Sequence, residues 1–474
     1  MKRDIGGIME KYGLIFLIGF TAVLYLGYYG YNMALWWDEA VYLSLAESLV
    51  TGGGYSMNTG LESFRPPLLP ALTAGIWSVT GINEAFVFMI PPLFAIFSVF
   101  ITYLLAKRYY GFRTAFWSSF MLATSFQFLF HSERFITEPI FVFLTTAAFL
   151  VFVLGTERKP RYYFPLTGLL IALAFLTRYA GILLFSVYFF YPVYLFLKEK
   201  KNLFMRWDYW AGIAVFMAAL IPWFLNGIAN YGSAFGALLF ASGTVDVTYL
   251  NLASYFYFLN WFEIFGLVGI FALPGIYMLL RRREKQDIGI LLMIAASLAF
   301  FMFIVARKEA RYLLHYFSFF YIIIAIGIEW TRTGLKKYKV PFDKIFIVMI
   351  GILILLNLTT GFVVMTNTQH SGTAIKEAGN YIRGRIGPDG TILCNNMPPM
   401  HYYTGHLVHF FPEEELINFT KDYDVAFIVI DIYEPTYPDY IWGEDGNPSN
   451  VFESFTLERE FQEFGETIVW VYRV

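Results

Sequence analysis

Long apolar runs separated by short charged loops fill the first three quarters of the chain. Runs long enough to cross about 30 Å of hydrocarbon fall near residues 13–35, 86–106, 114–130, 138–155, 162–177, 179–197, 209–227, 256–280, 288–306, 312–330 and 343–365, which predicts about eleven transmembrane helices. Two other patterns lie between the first two runs. DEAVYLSLAESL, from Asp38 to Leu49, reads as an amphipathic helix, and PPLLPALTAGIWSVTG at 66–81 is apolar but short and opens on two prolines. The latter suits an interfacial helix better than a crossing. Beyond 365 the period changes. TAIKEAGNYIRGRI reads as an amphipathic helix, and DGTILCNN, YDVAFIVID and ETIVWVYRV read as buried strands. The expected organisation is an all-α polytopic membrane domain over 1–365, with an external loop at 36–85 carrying two juxtamembrane helices, followed by a small extracytoplasmic α/β domain over 366–474.

Composition fixes the broad class. Of 474 residues, 58% are hydrophobic, 20% aromatic and only 15% charged, more apolar surface than a water-soluble domain of this size buries. A net charge of −2, with no basic stripe outside the membrane loops, excludes a nucleic-acid binder working by bulk electrostatics. The single cysteine, Cys394, permits no internal disulfide. The first apolar run is longer than the core of a signal peptide and has no small-residue cleavage site, so it reads as a retained span.

Charge placement sets direction. If 66–81 does not cross, the loops on one side, from Lys2, Arg3 and Lys11 through Arg158, Lys159 and Arg281 to Lys339, hold about twenty-one basic residues against about six on the other. Allowing 66–81 to cross would scramble this bias. The expectation is a multi-pass protein of the cell membrane with its N-terminus cytoplasmic and its C-terminal domain outside. Trp207, Tyr209 and Trp210 in RWDYW then fall at a cytoplasmic span end and read as an aromatic belt.

The outer loops gather unusual charge: Asp38, Glu39 and Arg65; His131, Glu133 and Arg134, with Glu138 just inside the next span; Arg178; and Arg307, Lys308, Glu309, Arg311 and His315. Ionisable groups at membrane depth are costly and usually have partners or functions. Each has a plain structural explanation. Asp38 and Glu39 open a helix, where acids are favoured. Arg178 and Arg65 could anchor at headgroup level, and Arg307 to Arg311 could be an exposed loop. Taken together, carboxylates beside arginines suit chemistry on an anionic lipid headgroup, with arginines clamping a phosphate and a carboxylate handling a proton. A divalent metal ion is the one cofactor with candidate ligands, since His131, Glu133 and Glu138 could contact either a metal or the acceptor. The His131–Glu133 spacing is weak for a metal site.

An Asp-Glu pair after the first span, then RPPLLPALTAGIWSVTG, FITEPIFVF, LLIALAFLTRYAGILL and EARYLLHYF occur in an order that resembles the C-type membrane glycosyltransferases. In pattern the chain is similar to the branch of dolichyl-phosphate-mannose protein mannosyltransferases and aminoarabinose transferases, over about residues 36–330. The resemblance implies a many-helix fold with two juxtamembrane helices in the first external loop, and a donor sugar carried on polyprenyl or dolichyl phosphate. It matches Asp38 to the catalytic base and Glu39 to its neighbour. It also matches Arg65, Arg178 and Arg311 to donor-phosphate contacts, a group to which Arg307 and His315 are added as candidates. Where aminoarabinose transferases carry a metal-binding glutamate this chain has Phe64, with Glu62 two residues earlier, so that ligand is not carried over.

The expected reaction is displacement at the anomeric carbon with inversion, Asp38 taking the proton of an acceptor hydroxyl on a glycan, lipid or protein while polyprenyl phosphate leaves. Glu39 or Glu133 as a covalent nucleophile stays open at this point. The rival reading is a lipid or polysaccharide flippase whose outer cations only bind headgroups, against which no repeated halves or paired interrupted helices are seen.

Overall fold

The computed structural model describes residues 5–58, 60–61, 64–158, 160–239, 253–305, 307–338, 341–434, 437–444 and 446–474. Glu62, Lys2, Arg3, Lys159 and Lys339 lie outside them. The described residues form two compact units. The first collects Met1–Tyr29, Ser63–Leu69 and Phe88–Val364, and the second Gly30–Glu62, Pro70–Val87 and Met365–Val474.

The first unit is helical. By length and composition six helical stretches among the described residues can cross a membrane: Glu84–Ala123, Glu138–Glu157, Tyr179–Glu199, Trp207–Tyr231, Lys285–Phe303 and Phe342–Arg383. Tyr12–Gly27, Leu68–Thr80 and Tyr163–Thr177 are apolar but shorter. The chain is a multi-pass membrane protein, and several of the eleven predicted spans are shorter or broken. The first helix stops at Gly27 rather than 35. Ile90–Ala123 carries most of the 86–106 run and the first part of the 114–130 run across a break at Gly111, whose φ of 84° only glycine adopts cheaply, and the second run ends in a separate helix, Phe126–Ser132. The 256–280 run divides into Phe256–Leu259, Trp261–Phe265, a 3₁₀ turn Leu267–Phe271 and Ala272–Arg282, with Gly266 at φ 68° in the break. The 312–330 run is interrupted at His315 and Tyr316, between Arg311–Leu314 and Phe317–Leu335.

Glycine sets the closest helix approaches. A Cβ on Gly168 would lie 1.8 Å from the Gly212 carbonyl oxygen, so Tyr163–Thr177 and Trp207–Tyr231 meet backbone to backbone. Nearby, the Tyr188 hydroxyl donates to the Tyr209 carbonyl at 2.6 Å, and the Tyr209 hydroxyl returns the bond to the Tyr188 carbonyl at 2.8 Å. Tyr209 is therefore a buried packing residue, not a member of the aromatic belt, because its hydroxyl finds a backbone acceptor inside. Trp207 and Trp210 are exposed as a belt requires.

The second unit joins the loop after the first helix to the C-terminal segment. The loop supplies the helix Trp37–Thr51 and a short hairpin, β1 (Ser56–Met57) with β2 (Gly60–Leu61). The C-terminal segment supplies the helix Thr373–Arg383 and five strands: β3 (Thr391–Leu393), β4 (Val408–His409), β5 (Val425–Asp431), β6 (Thr456–Glu463) and β7 (Glu466–Arg473). Their order is β4-β3-β5-β7-β6, with β3 parallel to β4 and β5, and β7 antiparallel to β5 and β6. The predicted strands are β3, β5 and β7. Leu393 of β3, Val425, Ile428 and Ile430 of β5, and Trp470 and Tyr472 of β7 pack with Phe411, Ile441 and Phe452 into the core of this unit. β4, β6 and the helix Met397–Thr404 went unpredicted, since β4 is two residues long and β6 (TLEREFQE) is mostly polar. A single boundary at 365/366 puts residues 36–85 with the membrane helices, whereas contacts group Gly30–Glu62 and Pro70–Val87 with Met365–Val474.

Candidate active site

In the first unit three separated segments bring their charges together. Glu138 opens a helix with Pro139 in its first turn, and this fully buried carboxylate meets two arginines. Arg178, extended at the end of Tyr163–Thr177, donates from Nη1 to Glu138 Oε1 at 2.6 Å and to Thr137 Oγ1 at 3.0 Å. Arg311 places its Nη1 3.9 Å from the same Oε1. Arg311 and Arg307 both pair with Glu309. Three partly buried arginines thus gather around two carboxylates, a setting in which cations interact more strongly with an anion than they do in water.

The histidines of the cluster differ in role. His131 Nδ1 lies 2.7 Å from the Gln127 carbonyl one turn back, a local bond that orients the ring. Burial pushes its imidazole below the ordinary value; Glu138 and that carbonyl oppose the shift, and Arg311 and Arg134 add to it. His315 is buried, with its ring 4.7 Å from that of Phe141, and neither of its nitrogens has a hydrogen-bond partner among the described residues. Arg311 is partly accessible, whereas His315, four residues on at the end of the short helix Arg311–Leu314, is enclosed.

Burial pushes the Glu133 carboxyl up to about 9, because desolvation disfavours its charged form. Among the described residues no three His, Cys, Asp or Glu side chains converge as metal ligands. Arg65, also in this unit, holds its guanidinium 5.3 Å from the centroid of the Phe64 ring. Tyr312, which the sequence did not single out, lies within electrostatic reach of Glu309, Arg311, Arg178 and Arg307. A tyrosine inside an aromatic-rich span gives no signal of its own.

The acid pair lies in the second unit, in the first turn of Trp37–Thr51. Glu39 is buried and accepts the Trp36 N–H at 2.7 Å, satisfying a backbone donor at the helix start. Asp38 is half-buried. The structural explanation thus describes Glu39 well, while Asp38 is the more accessible carboxylate of the two.

Residues 64–225 match the dolichyl-phosphate-mannose-protein mannosyltransferase family, a stretch that contains Arg65, His131, Glu133, Glu138 and Arg178. The chain is similar to ArnT from Cupriavidus metallidurans bound to undecaprenyl phosphate, with a TM-score of 0.72 at 12% identity over 96% of this chain and 97% of that one. It is also similar to the archaeal oligosaccharyltransferase AglB from Archaeoglobus fulgidus, solved with an inhibitory peptide and a dolichol-phosphate, with a TM-score of 0.64 at 13% identity over 90% of this chain and 70% of that one. An uncharacterized protein of Aquifex aeolicus (strain VF5) is 28% identical over 224 residues, 46% of this chain and 44% of its own length. The match thus spans less than half of that relative. The fold is that of the C-type membrane glycosyltransferases.

Proposed function

We propose that this chain transfers a sugar from a polyprenyl- or dolichyl-phosphate donor to an acceptor hydroxyl at the outer face of the membrane, with Asp38 as the base. The observation that carries the reading is the convergence of Arg178 and Arg311 on the single carboxylate of Glu138. Cations preformed in a water-poor setting stabilise the charge that develops on a departing phosphate oxygen. The likeness to proteins solved with undecaprenyl phosphate and dolichol-phosphate supports a lipid phosphate as the carrier.

In this reaction the acceptor oxygen attacks the anomeric carbon and loses its proton to Asp38. The bond from that carbon to the phosphate oxygen breaks, and the lipid phosphate leaves as an anion held by the arginines. Attack opposite the leaving group inverts the anomeric centre. Phosphate leaves without protonation, so no general acid is demanded. The N-terminus is cytoplasmic in this reading, which rests on the asymmetry of basic residues. The acceptor we favour is a lipid-linked or cell-surface glycan.

Purified protein in detergent, given a panel of sugar-phosphate lipids and acceptors, should release free polyprenyl phosphate with one of them. A protein that moves lipid between the leaflets of a vesicle yet releases none in detergent would be a flippase, and this assignment would fall.

A further inference from the structure

The helix that carries the acid pair is enclosed to an extent its pattern does not explain. Every residue from Glu39 to Ala46 is buried, whereas a helix lying on a membrane surface buries one face. Within its own compact unit it packs on the helix Met397–Thr404 of the C-terminal segment.

Hydrogen bonds fasten the surrounding chain on both sides of Asp38. On the N-terminal side, the Met33 N–H donates to the Gln369 carbonyl at 3.1 Å, and the Met33 carbonyl accepts from Lys376 Nζ at 2.8 Å. The Leu35 N–H donates to the Tyr403 hydroxyl at 2.7 Å, and both residues are buried. On the C-terminal side, Asn58 holds the Val408 backbone in both directions, its Nδ2 donating to the carbonyl at 2.7 Å and its Oδ1 accepting the N–H at 2.8 Å. Asn58 has a φ of 52°, a left-handed conformation that asparagine tolerates better than most residues. Its own N–H points at His401 Nε2, 3.3 Å away, while His401 Nδ1 is 2.8 Å from the His406 carbonyl. That second bond sets Nδ1 as the donor and leaves Nε2 free to accept.

We propose that the C-terminal α/β domain is a positioning element for the carboxylate pair, with Tyr403 and Asn58 as the two residues that fix the strap 33–58 on which Asp38 rides. The inference rests on Asp38 being the base. A base must be held within a fraction of an ångström of its productive place, and a misplacement of about 1 Å can cost about 10²-fold in rate. Residues 28–36 are not a regular continuation of the first helix, so the strap needs an external reference. Tyr403 supplies it three residues before Asp38.

The test uses the full-length protein. Tyr403→Phe removes one hydroxyl and should lower kcat by about tenfold with the KM for the sugar-phosphate lipid unchanged, while amide hydrogen exchange over 33–47 accelerates and the β5 and β7 amides stay protected. Asn58→Ala should act in the same direction from the other end. Tyr402→Phe is the control: its hydroxyl donates to Glu84 at 2.6 Å, outside the strap, and its loss should leave kcat within about twofold of the parent. Parental exchange over 33–47, or parental kcat, in both Tyr403→Phe and Asn58→Ala would overturn the proposal, and so would a change confined to KM. If the parent turns over no sugar-phosphate lipid, the glycosyltransferase reading fails separately. Exchange then decides whether the strap is held, and unaltered exchange in both variants overturns that as well.

Discussion

Arg178 reaches across to Glu138 with a 2.6 Å contact that joins the end of one membrane helix to the start of another. Glu138 is fully buried, so the pair is structural whatever else it does. Arg178→Ala would leave a buried carboxylate short of its nearer cation, costing up to about 3 kcal/mol. Arg178→Ala combined with Glu138→Gln should recover most of that stability without recovering use of the lipid-phosphate donor. Thermal melting and donor titration of the single and double variants separate the two effects. A double variant with a parental donor KM would reduce Arg178 to a structural role.

The two acids should part company. Asp38→Asn keeps volume and removes the ionisable oxygen, so transfer should fall by about 10²-fold or more with melting little changed. Glu39→Gln retains an oxygen to accept the Trp36 N–H and should be mild, whereas Glu39→Ala should cost about 1 kcal/mol. Single-turnover rates beside melting curves check this. Parental transfer by Asp38→Asn would end its assignment as the base.

At the helix crossing, Gly168→Ala should destabilise the protein by about 1–3 kcal/mol, because the new methyl meets backbone that has no rotamer to change. Gly19→Ala, on an open helix face with nothing within 4 Å, should be neutral or stabilising by up to about 1 kcal/mol. Thermal stability in one detergent measures both, and equal effects would refute the close-approach account.

Burial pushes Asp431, at the end of β5, up to about 6, against opposing hydrogen bonds from the Tyr437 hydroxyl and the N–H groups of Glu434 and Tyr433. A carboxyl raised in the folded state binds more protons there than in the unfolded chain, so its contribution to stability is largest at low pH and is lost as pH rises from about 4 to about 6. Asp431→Asn removes that slope. Relative to the parent it should gain up to about 3 kcal/mol across the window. Unfolding of the C-terminal segment, followed by tryptophan fluorescence at several pH values, would show no such gain if Asp431 were ionised throughout.

The membrane class and the helical character of the first unit were legible in the sequence because hydrocarbon imposes a length and a polarity on every segment that crosses it. The same rule made Glu138, Arg178 and Arg311 conspicuous, since charge at membrane depth needs a reason. The strands β3, β5 and β7 announced themselves through runs of aliphatic residues. Hydropathy did not reveal the breaks at Gly111, Gly266 and His315–Tyr316, because an apolar run stays apolar whether or not its backbone bends.

Which charges meet was decided only by the tertiary structure. Glu138 and Arg311 are far apart in sequence and share an oxygen's surroundings only because helices between them pack closely, in part through glycines that carry no local signal. The attachment of the loop after the first helix to the C-terminal segment is of the same kind. Asn58 with Val408, and Leu35 with Tyr403, are single polar contacts between segments more than three hundred residues apart. Periodicity reports how one segment divides itself between apolar and polar surroundings, and holds nothing about the partner that supplies them.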